Sequence, residues 1–392
     1  MRAAFARLRH RTPVGWLQLR RNRTRFLVAL AGIAFADLLM FMQLGVLGAA
    51  LDTSVLFHNM LQADIVLISP EARDLQNSGS IARSRLYQAE SDPGIAGGSA
   101  MYIGFLDWRA PLTNDRRSMM VIGTDPDSPM LSFDAVRDGR GELKQSNTVV
   151  FDRLSRGDYK PALAQLDAGK PLTAEIDRTT IHLAGTYQLG AAFGSDGSMI
   201  GSETTFLHLF PSHSARSITL GLLNVKPGED PALVEASIKR KMSSDVRVLT
   251  KAEFIAYARN FQAKATPVGF IFGLGTIMGF IVGLAMVYQV LSTDVADHLA
   301  EYATFKAMGF TNAYLLGIIA EECVILAVVG FFPGLLAGEG LMKLMHIATF
   351  LPTSLPLSRM LLVFGLTLVL CLLSGWVAAR RLRTADPAEV FA

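Results

Sequence analysis

The sequence predicts a membrane protein with four transmembrane α-helices and a large mixed α+β periplasmic domain inserted between helices 1 and 2. The 392 residues are 51% hydrophobic, too apolar for an ordinary soluble enzyme, yet 18% are charged, too many for a chain lying wholly in the membrane. Long apolar stretches begin near residues 26, 266, 313 and 359, and about 200 residues of mixed composition separate the first two. Arginines precede the first stretch and follow the last, which predicts that both ends are cytoplasmic.

Residues 1–25 form a strongly basic segment. They contain eight arginines and no acidic residue, although the net charge of the whole chain is only +3. Such a cluster can bind nucleic acid, but this one directly precedes a long apolar run, as the positive-inside rule of membrane topology expects. We therefore interpret 1–25 as a cytoplasmic basic amphipathic segment of a multi-pass protein of the bacterial inner membrane, with no nucleic-acid partner.

The first span is predicted over residues 26–51. A cleaved signal peptide is an alternative, since small residues occur at 47–50, but the apolar run is about twice the length of a signal peptide's hydrophobic core. A retained helix is therefore the preferred interpretation. Asp37 interrupts the run, and a carboxylate inside a membrane span is either a functional site or a group that hydrogen-bonds to a neighbouring helix.

Residues 52–262 are predicted to form an aqueous domain with its own core. A capping box at 250–253 opens a helix that leads into the second span. The middle of the domain, about 130–215, is richer in Gly, Ser and Asp and is interpreted as an inserted second lobe. Cys323 and Cys371 fall inside apolar spans, so no disulfide is expected in the domain. Runs typical of strands occur at 63–68, 101–108, 118–122, 148–151, 174–183 and 217–225.

Residues 263–291 are interpreted as the end of this helical stalk and the second span, and 292–312 as a short cytoplasmic helix. Val295, Leu299 and Tyr302 recur at helical spacing in the short helix. Gly309 supplies the left-handed residue that ends such a helix. Because a helix this short is not stable alone in water, it is expected to lie on a partner protein or on the lipid headgroups.

The remaining chain is divided into two further spans. The third, 313–345, is expected to kink or break at Pro333-Gly334. Glu321 and Glu322 lie near its cytoplasmic end, where carboxylates either form a proton relay or reach the interface by snorkelling. A periplasmic loop, a fourth span and a cytoplasmic tail follow at 346–358, 359–380 and 381–392.

No catalytic motif accompanies these features. The sequence has no GxxxxGK[ST] phosphate-binding loop, no HExxH and no GxSxG, so we predict a chain that is not an enzyme and holds no cofactor itself. His208 and His213 are five residues apart, a poor spacing for metal ligands, and are interpreted as surface histidines, with no metal site.

The stretch from Glu301 to Thr311, EYATFKAMGFT, resembles the coupling helix of MacB/FtsX-type ABC transporter permeases. Three other stretches carry the same family resemblance: GIAFADLLMFMQLG at 32–45, LQADIVLISP at 61–70 and ADPAEVF at 385–391. The first of them resembles especially the first helix of DevC-type permeases, and within the family the chain looks most similar to these permeases of glycolipid exporters. A large domain between spans one and two, followed by three further spans, is also the plan of the family, so the resemblance covers most of the chain.

The resemblance implies the permease subunit of an ABC exporter, working as a homodimer. It implies a separate DevA-like ATPase that binds ATP and Mg²⁺, a DevB-like periplasmic adaptor, a TolC-like outer-membrane channel and a lipid- or glycolipid-like substrate. The residues that would couple to the ATPase are Asp297, Glu301, Tyr302, Phe305, Lys306, Met308, Gly309 and Phe310.

Two alternatives remain open at this stage. In the first, the chain is an FtsX-like mechanotransmitter that regulates a periplasmic cell-wall hydrolase, because this class shares the membrane plan. In the second, it is an intramembrane enzyme that uses Asp37 with Glu321 or Glu322.

Overall fold

The structure is a computed structural model that describes residues 15–16, 23–131, 136, 140–176, 179–192, 194–351 and 353–384. Apart from 15–16, 23–25 and 381–384, the predicted basic segment and tail lie outside the described residues. The chain divides into two compact units, and each is described here by itself. Of the described residues, the membrane unit holds those up to 48, those of 270–345 and those from 353 onward, and the extramembrane unit holds those of 49–269 and 346–351.

The described helices are named in chain order. They are α1 (Arg23–Thr53), α2 (Leu56–Met60), α3 (Arg83–Glu90), α4 (Arg140–Leu143), α5 (Lys160–Asp167), α6 (Glu203–Leu209), α7 (Pro231–Lys241), α8 (Lys251–Lys264), α9 (Pro267–Asp297), α10 (Leu299–Ala307), α11 (Asn312–Thr349) and α12 (Leu357–Thr384).

The strands all belong to the extramembrane unit. They are β1 (Ile65–Ile68), β2 (Ile81–Ala82), β3 (Ile95–Arg109), β4 (Arg116–Thr124), β5 (Thr148–Asp152), β6 (Leu172–Ile176), β7 (Thr179–Tyr187), β8 (Gly197–Ser202), β9 (Ser217–Ile218), β10 (Leu220–Val225) and β11 (Arg247–Thr250). Nine of them form one mixed sheet in the order β11-β1-β10-β3-β4-β8-β5-β7-β6, and β2 pairs with β9.

Both faces of this sheet are buried. Along β1, Ile65 and Leu67 enter one hydrophobic cluster and Val66 and Ile68 enter the other, as the alternation of side chains along a strand requires. Residues of α3, α5, α6 and α7 complete the first cluster, and residues of α2 and α8 complete the second. The unit is therefore an α+β domain with helices on both sides of a single sheet.

The segment 130–215 is not a separate lobe. It supplies β5, β6, β7 and β8, which continue the same sheet because β8 pairs in parallel with β4. The sequence hid this continuation, since β8 reads GSMIGS and looks like a turn, yet all six of its residues are buried. The predicted run 174–183 proved to be parts of two strands, β6 and β7, that pair as an antiparallel hairpin.

Four of the described helices, α1, α9, α11 and α12, are long and apolar enough to cross a membrane. At about 1.5 Å per residue, each exceeds the roughly 30 Å of a bilayer's hydrocarbon core. Each of the four ends two to six residues beyond the predicted end of its span. Helix α9 continues six residues past residue 291, to Asp297, because Asp294 and Val295 are buried by packing although the apolar run has ended. Helix α11 runs through Pro333 without a break.

Two stripes of glycine bring the spans close together around α1. On α9, a Cβ added at Gly279 would lie 3.3 Å from Cβ of Leu39, and a Cβ added at Gly283 would lie 2.6 Å from Cβ of Ala36. On α11, Gly330, Gly334 and Gly338 form the same four-residue repeat, and a Cβ at each would lie 2.6–3.0 Å from a side-chain atom of α1. Small residues at this spacing let helix backbones approach closely, which is how apolar helices associate in lipid.

Candidate functional site

The short helix α10 connects the second and third spans. Helix α9 ends at Asp297 and α10 begins at Leu299, so only His298 separates them. The backbone amide of His298 donates to the carbonyl of Asp294 at 3.2 Å, and that of Tyr302 donates to the carbonyl of His298 at 3.0 Å. The chain thus passes from α9 to α10 through a single residue, and backbone hydrogen bonds continue across this connection.

The C-terminus of α10 closes in a Schellman motif. Gly309 has φ +89°, and its amide donates to the carbonyl of Lys306 at 3.0 Å. The amide of Phe310 donates to the carbonyl of Phe305 at 3.0 Å, which completes the pair of bonds that defines the motif. The left-handed residue predicted from the sequence is thus present at Gly309.

Aromatic side chains join this corner to the next helix. The rings of Phe305 and Phe310 meet edge to face with centroids 5.6 Å apart, and Phe310 stacks on Tyr314 of α11 at 4.7 Å. This is the apolar contact that commonly accompanies a Schellman motif. The end of α10 and the first turn of α11 therefore form one packed corner.

The residues predicted to couple to an ATPase differ in exposure and fall into three groups. Asp297, Glu301, Gly309, Met308 and Phe310 are exposed, the last two by 61% and 41%. Phe305 and Lys306 are half-buried. Together they line one solvent-accessible edge of the corner.

Tyr302 was predicted to contact the ATPase, but the structure buries its side chain. Its side chain is 1% exposed and packs in the core cluster of the membrane unit with residues of α9 and α11, including Leu291 and Leu315. A side chain buried in this way is not available to a partner, so Tyr302 holds α10 against the spans. Helical periodicity placed Tyr302 on the apolar face, and that signal in the sequence already indicated burial.

Two charged residues around the start of α10, Arg25 and Asp294, were not singled out as site residues from the sequence. Arg25 of α1 forms an ion pair with Asp297, and both side chains are partly exposed. Asp294 is 6% exposed, its Oδ1 lies 3.7 Å from Nδ1 of His298, and its Oδ2 has no hydrogen-bond partner among the described residues. An aspartate two residues beyond an apolar run was the available signal for Asp294.

The intramembrane carboxylates do not form one site. Asp37 is fully buried, accepts a hydrogen bond from Thr367 of α12 and packs against Gly334 of α11. Glu322, also fully buried, precedes Gly334 by 12 residues on α11, which corresponds to about 18 Å along the helix. Glu321 is only half-buried. The structure therefore contradicts an enzyme that pairs Asp37 with Glu321 or Glu322.

Other predicted features are located as follows. Nδ1 of His208 lies 2.7 Å from Oδ1 of Asn147, and His213 packs its ring on Phe206 and Phe210. Within the part of the chain that the structure describes, no group of three His, Cys, Asp or Glu residues is arranged to hold a metal ion.

The fold and site thus define a four-span membrane protein with an α+β domain between spans one and two and a packed helical corner between spans two and three. Residues 268–387, which include α10, match the protein family described as "FtsX-like permease C-terminal". A comparison with curated proteins finds no match.

Among solved structures, the chain is similar to the periplasmic region of MacB from Actinobacillus actinomycetemcomitans. The identity is 10%, the TM-score is 0.34, and the match covers 51% of this chain and 94% of that one. It is also similar to the extracellular domain of the noncanonic ABC-type transporter YknZ from Gram-positive bacteria. There the identity is 8%, the TM-score is 0.30, and the coverage is 48% and 100%.

Proposed function

We propose that this chain is the permease subunit of an ABC exporter of the MacB/FtsX type and is not itself an enzyme. The observation that carries the proposal is the corner at α10, which lies inside the FtsX-like region and has an exposed edge. Its interior side is fixed by Tyr302 and its end by the bonds at Gly309. A load applied to the exposed edge would therefore reach both adjoining spans.

The partner at this edge is proposed to be a separate cytoplasmic ATPase, which binds ATP and Mg²⁺. Glu301 offers a carboxylate, and Met308 and Phe310 offer apolar surface, whose exposure suits a protein partner. In this arrangement the bacterial inner membrane holds the spans, both termini are cytoplasmic, and the extramembrane unit is periplasmic.

The finer assignment follows from the DevC-type resemblance in the sequence. It comprises a homodimer, a DevA-like ATPase, a DevB-like adaptor, a TolC-like outer-membrane channel and a lipid- or glycolipid-like cargo. The alternative function, regulation of a periplasmic cell-wall hydrolase, uses the same corner, so the two are distinguished by the periplasmic partner that alters ATP hydrolysis.

The first test compares substitutions at Gly309. In lipid, this chain is purified with the ATPase encoded beside it, and ATP hydrolysis is measured. Gly309→Val is expected to lower chain-dependent hydrolysis at least about tenfold, because a β-branched residue resists a positive φ. Gly309→Asn is expected to retain it, because asparagine tolerates this conformation.

Gly228 of the extramembrane unit is a matched control. It has φ +92°, and, as at Gly309, an added Cβ would meet no atom within 4 Å. Gly228→Val imposes the same backbone strain elsewhere and should leave hydrolysis unchanged. Normal coupling in Gly309→Val would contradict the proposed site. Stimulation by the adaptor supports export, and stimulation by a hydrolase supports regulation.

A further inference from the structure

The extramembrane unit contains an apolar cavity of about 310 Å³. One wall is the sheet, through Phe105 of β3 and Met120 of β4. Other parts of the wall come from the last turn of α1 with Thr53 and from the start of α2 with Leu56, which follow the first span. The loop between β7 and β8 adds Leu189. The cavity extends the second hydrophobic cluster, in which Phe105 and Leu189 are only partly buried.

Three hydroxyl groups around this cavity already donate to nearby backbone carbonyls. Thr53 Oγ1 donates to the carbonyl of Ala49 at 2.8 Å, and Thr266 Oγ1 donates to the carbonyl of Gln262 at 2.6 Å. Ser54 Oγ donates to the carbonyl of Leu51 at 2.7 Å.

Two further polar lining residues are also bonded within the protein: Oδ1 of Asp74 accepts from the amide of Asn77 at 2.7 Å, and Nε2 of Gln76 donates to the carbonyl of Gly194 at 2.6 Å. Because these groups already have partners and most of the wall is apolar, the cavity favours an alkyl group.

The surface of α1 indicates where an alkyl group would come from. At about 100° per residue, positions 35, 42, 46 and 53 fall within about 20° of one line along the helix. Phe35 and Met42 on this line are 46% and 40% exposed, Val46 is half-buried, and Thr53 lines the cavity. Since α1 is uninterrupted from Arg23 to Thr53, one apolar stripe runs from its membrane-spanning part to the cavity wall.

We propose that this cavity binds one alkyl chain of a membrane lipid, which reaches it along the stripe on α1. The volume is at the lower end of the range for small-molecule sites, about 300–1,000 Å³, and suits a single chain better than a whole lipid. Binding itself does not depend on the coupling role of α10. The further step, that the bound lipid belongs to the exported class, rests on the proposed function.

The test uses the full chain in phosphatidylcholine vesicles that contain a phosphatidylcholine with a diazirine near the end of one acyl chain. After illumination, labelled residues are mapped by peptide mass spectrometry. Labelling is expected on the peptides that line the cavity, 50–57 and 189–192. Leu189→Gln should reduce it about tenfold, equivalent to about 1.4 kcal/mol of binding, because a polar amide replaces apolar wall.

Two further variants separate binding from folding. Leu166→Gln is the matched control, since Leu166 is also half-buried in this unit but does not line the cavity, and its labelling should equal that of the unchanged chain. Ala192→Trp fills the cavity with apolar volume, keeps the wall apolar and should also abolish labelling.

Three outcomes overturn the proposal: label confined to the spans, equal label in Leu189→Gln and Leu166→Gln, or crosslinks from 189–192 to a second copy of the chain. Stimulation of the ATPase is measured separately on the same variants. Lipid binding can then fail while coupling survives, and coupling can fail while lipid binding survives.

Discussion

At the scale of single residues, the position of Asp37 inside a span is explained by its contacts with neighbouring helices, without a catalytic role. One carboxylate oxygen accepts a hydrogen bond from Thr367, and the other has no partner among the described residues. The neighbouring position on α11 is Gly334, where an added Cβ would lie 2.6 Å from Cβ of Asp37, so the two helices are almost in backbone contact. Of the two interpretations that the sequence left open, the structure favours the hydrogen bond to a neighbouring helix.

Thr367→Val should therefore destabilise the spans. The substitution preserves shape but leaves Asp37 without its donor, at an expected cost of about 1–2 kcal/mol. The loss should largely disappear in an Asp37→Ala background, since no buried carboxylate is then left unpaired. A double-mutant cycle from chemical unfolding in detergent measures this coupling. Strictly additive effects would show that the bond contributes nothing.

His58 predicts a pH dependence of the extramembrane unit. It is 3% exposed, its ring lies 4.4 Å from that of Phe254, and burial lowers its pKa from 6.5 to about 4. The unfolded chain thus takes up a proton near pH 6.5, whereas the folded chain does so only near pH 4. Stability contributed by the neutral ring is therefore complete above pH 6.5 and falls by about 3 kcal/mol as the pH drops to 4.

In His58→Phe this contribution should be absent, because phenylalanine fills a similar volume and does not titrate. Thermal unfolding of the full chain at pH 7.5 and pH 4 is the measurement, and the decrease in Tm should be smaller in His58→Phe, by roughly 2–4 °C per kcal/mol. The exposed His182→Phe serves as the control and should show the unchanged decrease. Identical pH profiles for all three chains would contradict the assignment.

At the scale of elements, the glycine stripes explain how α1 is held. Gly283 of α9 faces Ala36 and Leu370, and an added Cβ would lie 2.6 Å from Cβ of Ala36 and from Cδ1 of Leu370. Gly273, ten residues earlier on the same helix, would meet no atom within 4 Å. At Gly275, two residues further on, an added Cβ would lie 2.5 Å from Cδ of Gln43, so α1 packs closely on Gly275 and not on Gly273.

Gly283→Val and Gly273→Val change helix propensity equally but differ in packing. Gly283→Val is expected to cost on the order of 1–3 kcal/mol, since α1 and α12 must move away to admit the side chain. Gly273→Val should stay within about 0.5 kcal/mol of the unchanged chain. Detergent-solubilised thermal stability distinguishes them, and similar losses in both would show that α1 does not pack closely on this stripe.

The elements also show what sequence patterns were able to predict. Spans, the capping box at Thr250–Glu253 and the left-handed Gly309 depend on local hydropathy and backbone chemistry, and all are present. Strand β8 and the parallel pairing of β4 with β8 depend on partners about 78 residues away in the chain, for example Met119 with Gly197, and no local pattern encodes them. At the corner, helical periodicity indicated that Tyr302 is buried, whereas the half-burial of Phe305 and Lys306 depends on packing in the folded chain.

At the scale of the whole molecule, the proposed arrangement puts the extramembrane unit and the α10 corner on opposite sides of the membrane. Leu154 is 48% exposed in the first and Met308 is 61% exposed in the second, whereas the chain's own cysteines, Cys323 and Cys371, are buried in the spans. A membrane-impermeant maleimide should label Leu154→Cys in cells whose outer membrane has been made permeable. It should label Met308→Cys only after the inner membrane is also disrupted. Labelling of both under the first condition would contradict the proposed topology.

The pairing of β1 with β11 has a mechanical consequence. Ile65, where the chain enters the sheet, is opposite Thr250, where it leaves, so both exits lie at the same end of one antiparallel ladder. Tension that pulls α2 away from α8 would load the hydrogen bonds between β1 and β11 one after another, beginning at Ile65 and Thr250, and not all at once. Because β11 is an edge strand that pairs only with β1, it can separate from the sheet while the other eight strands stay paired.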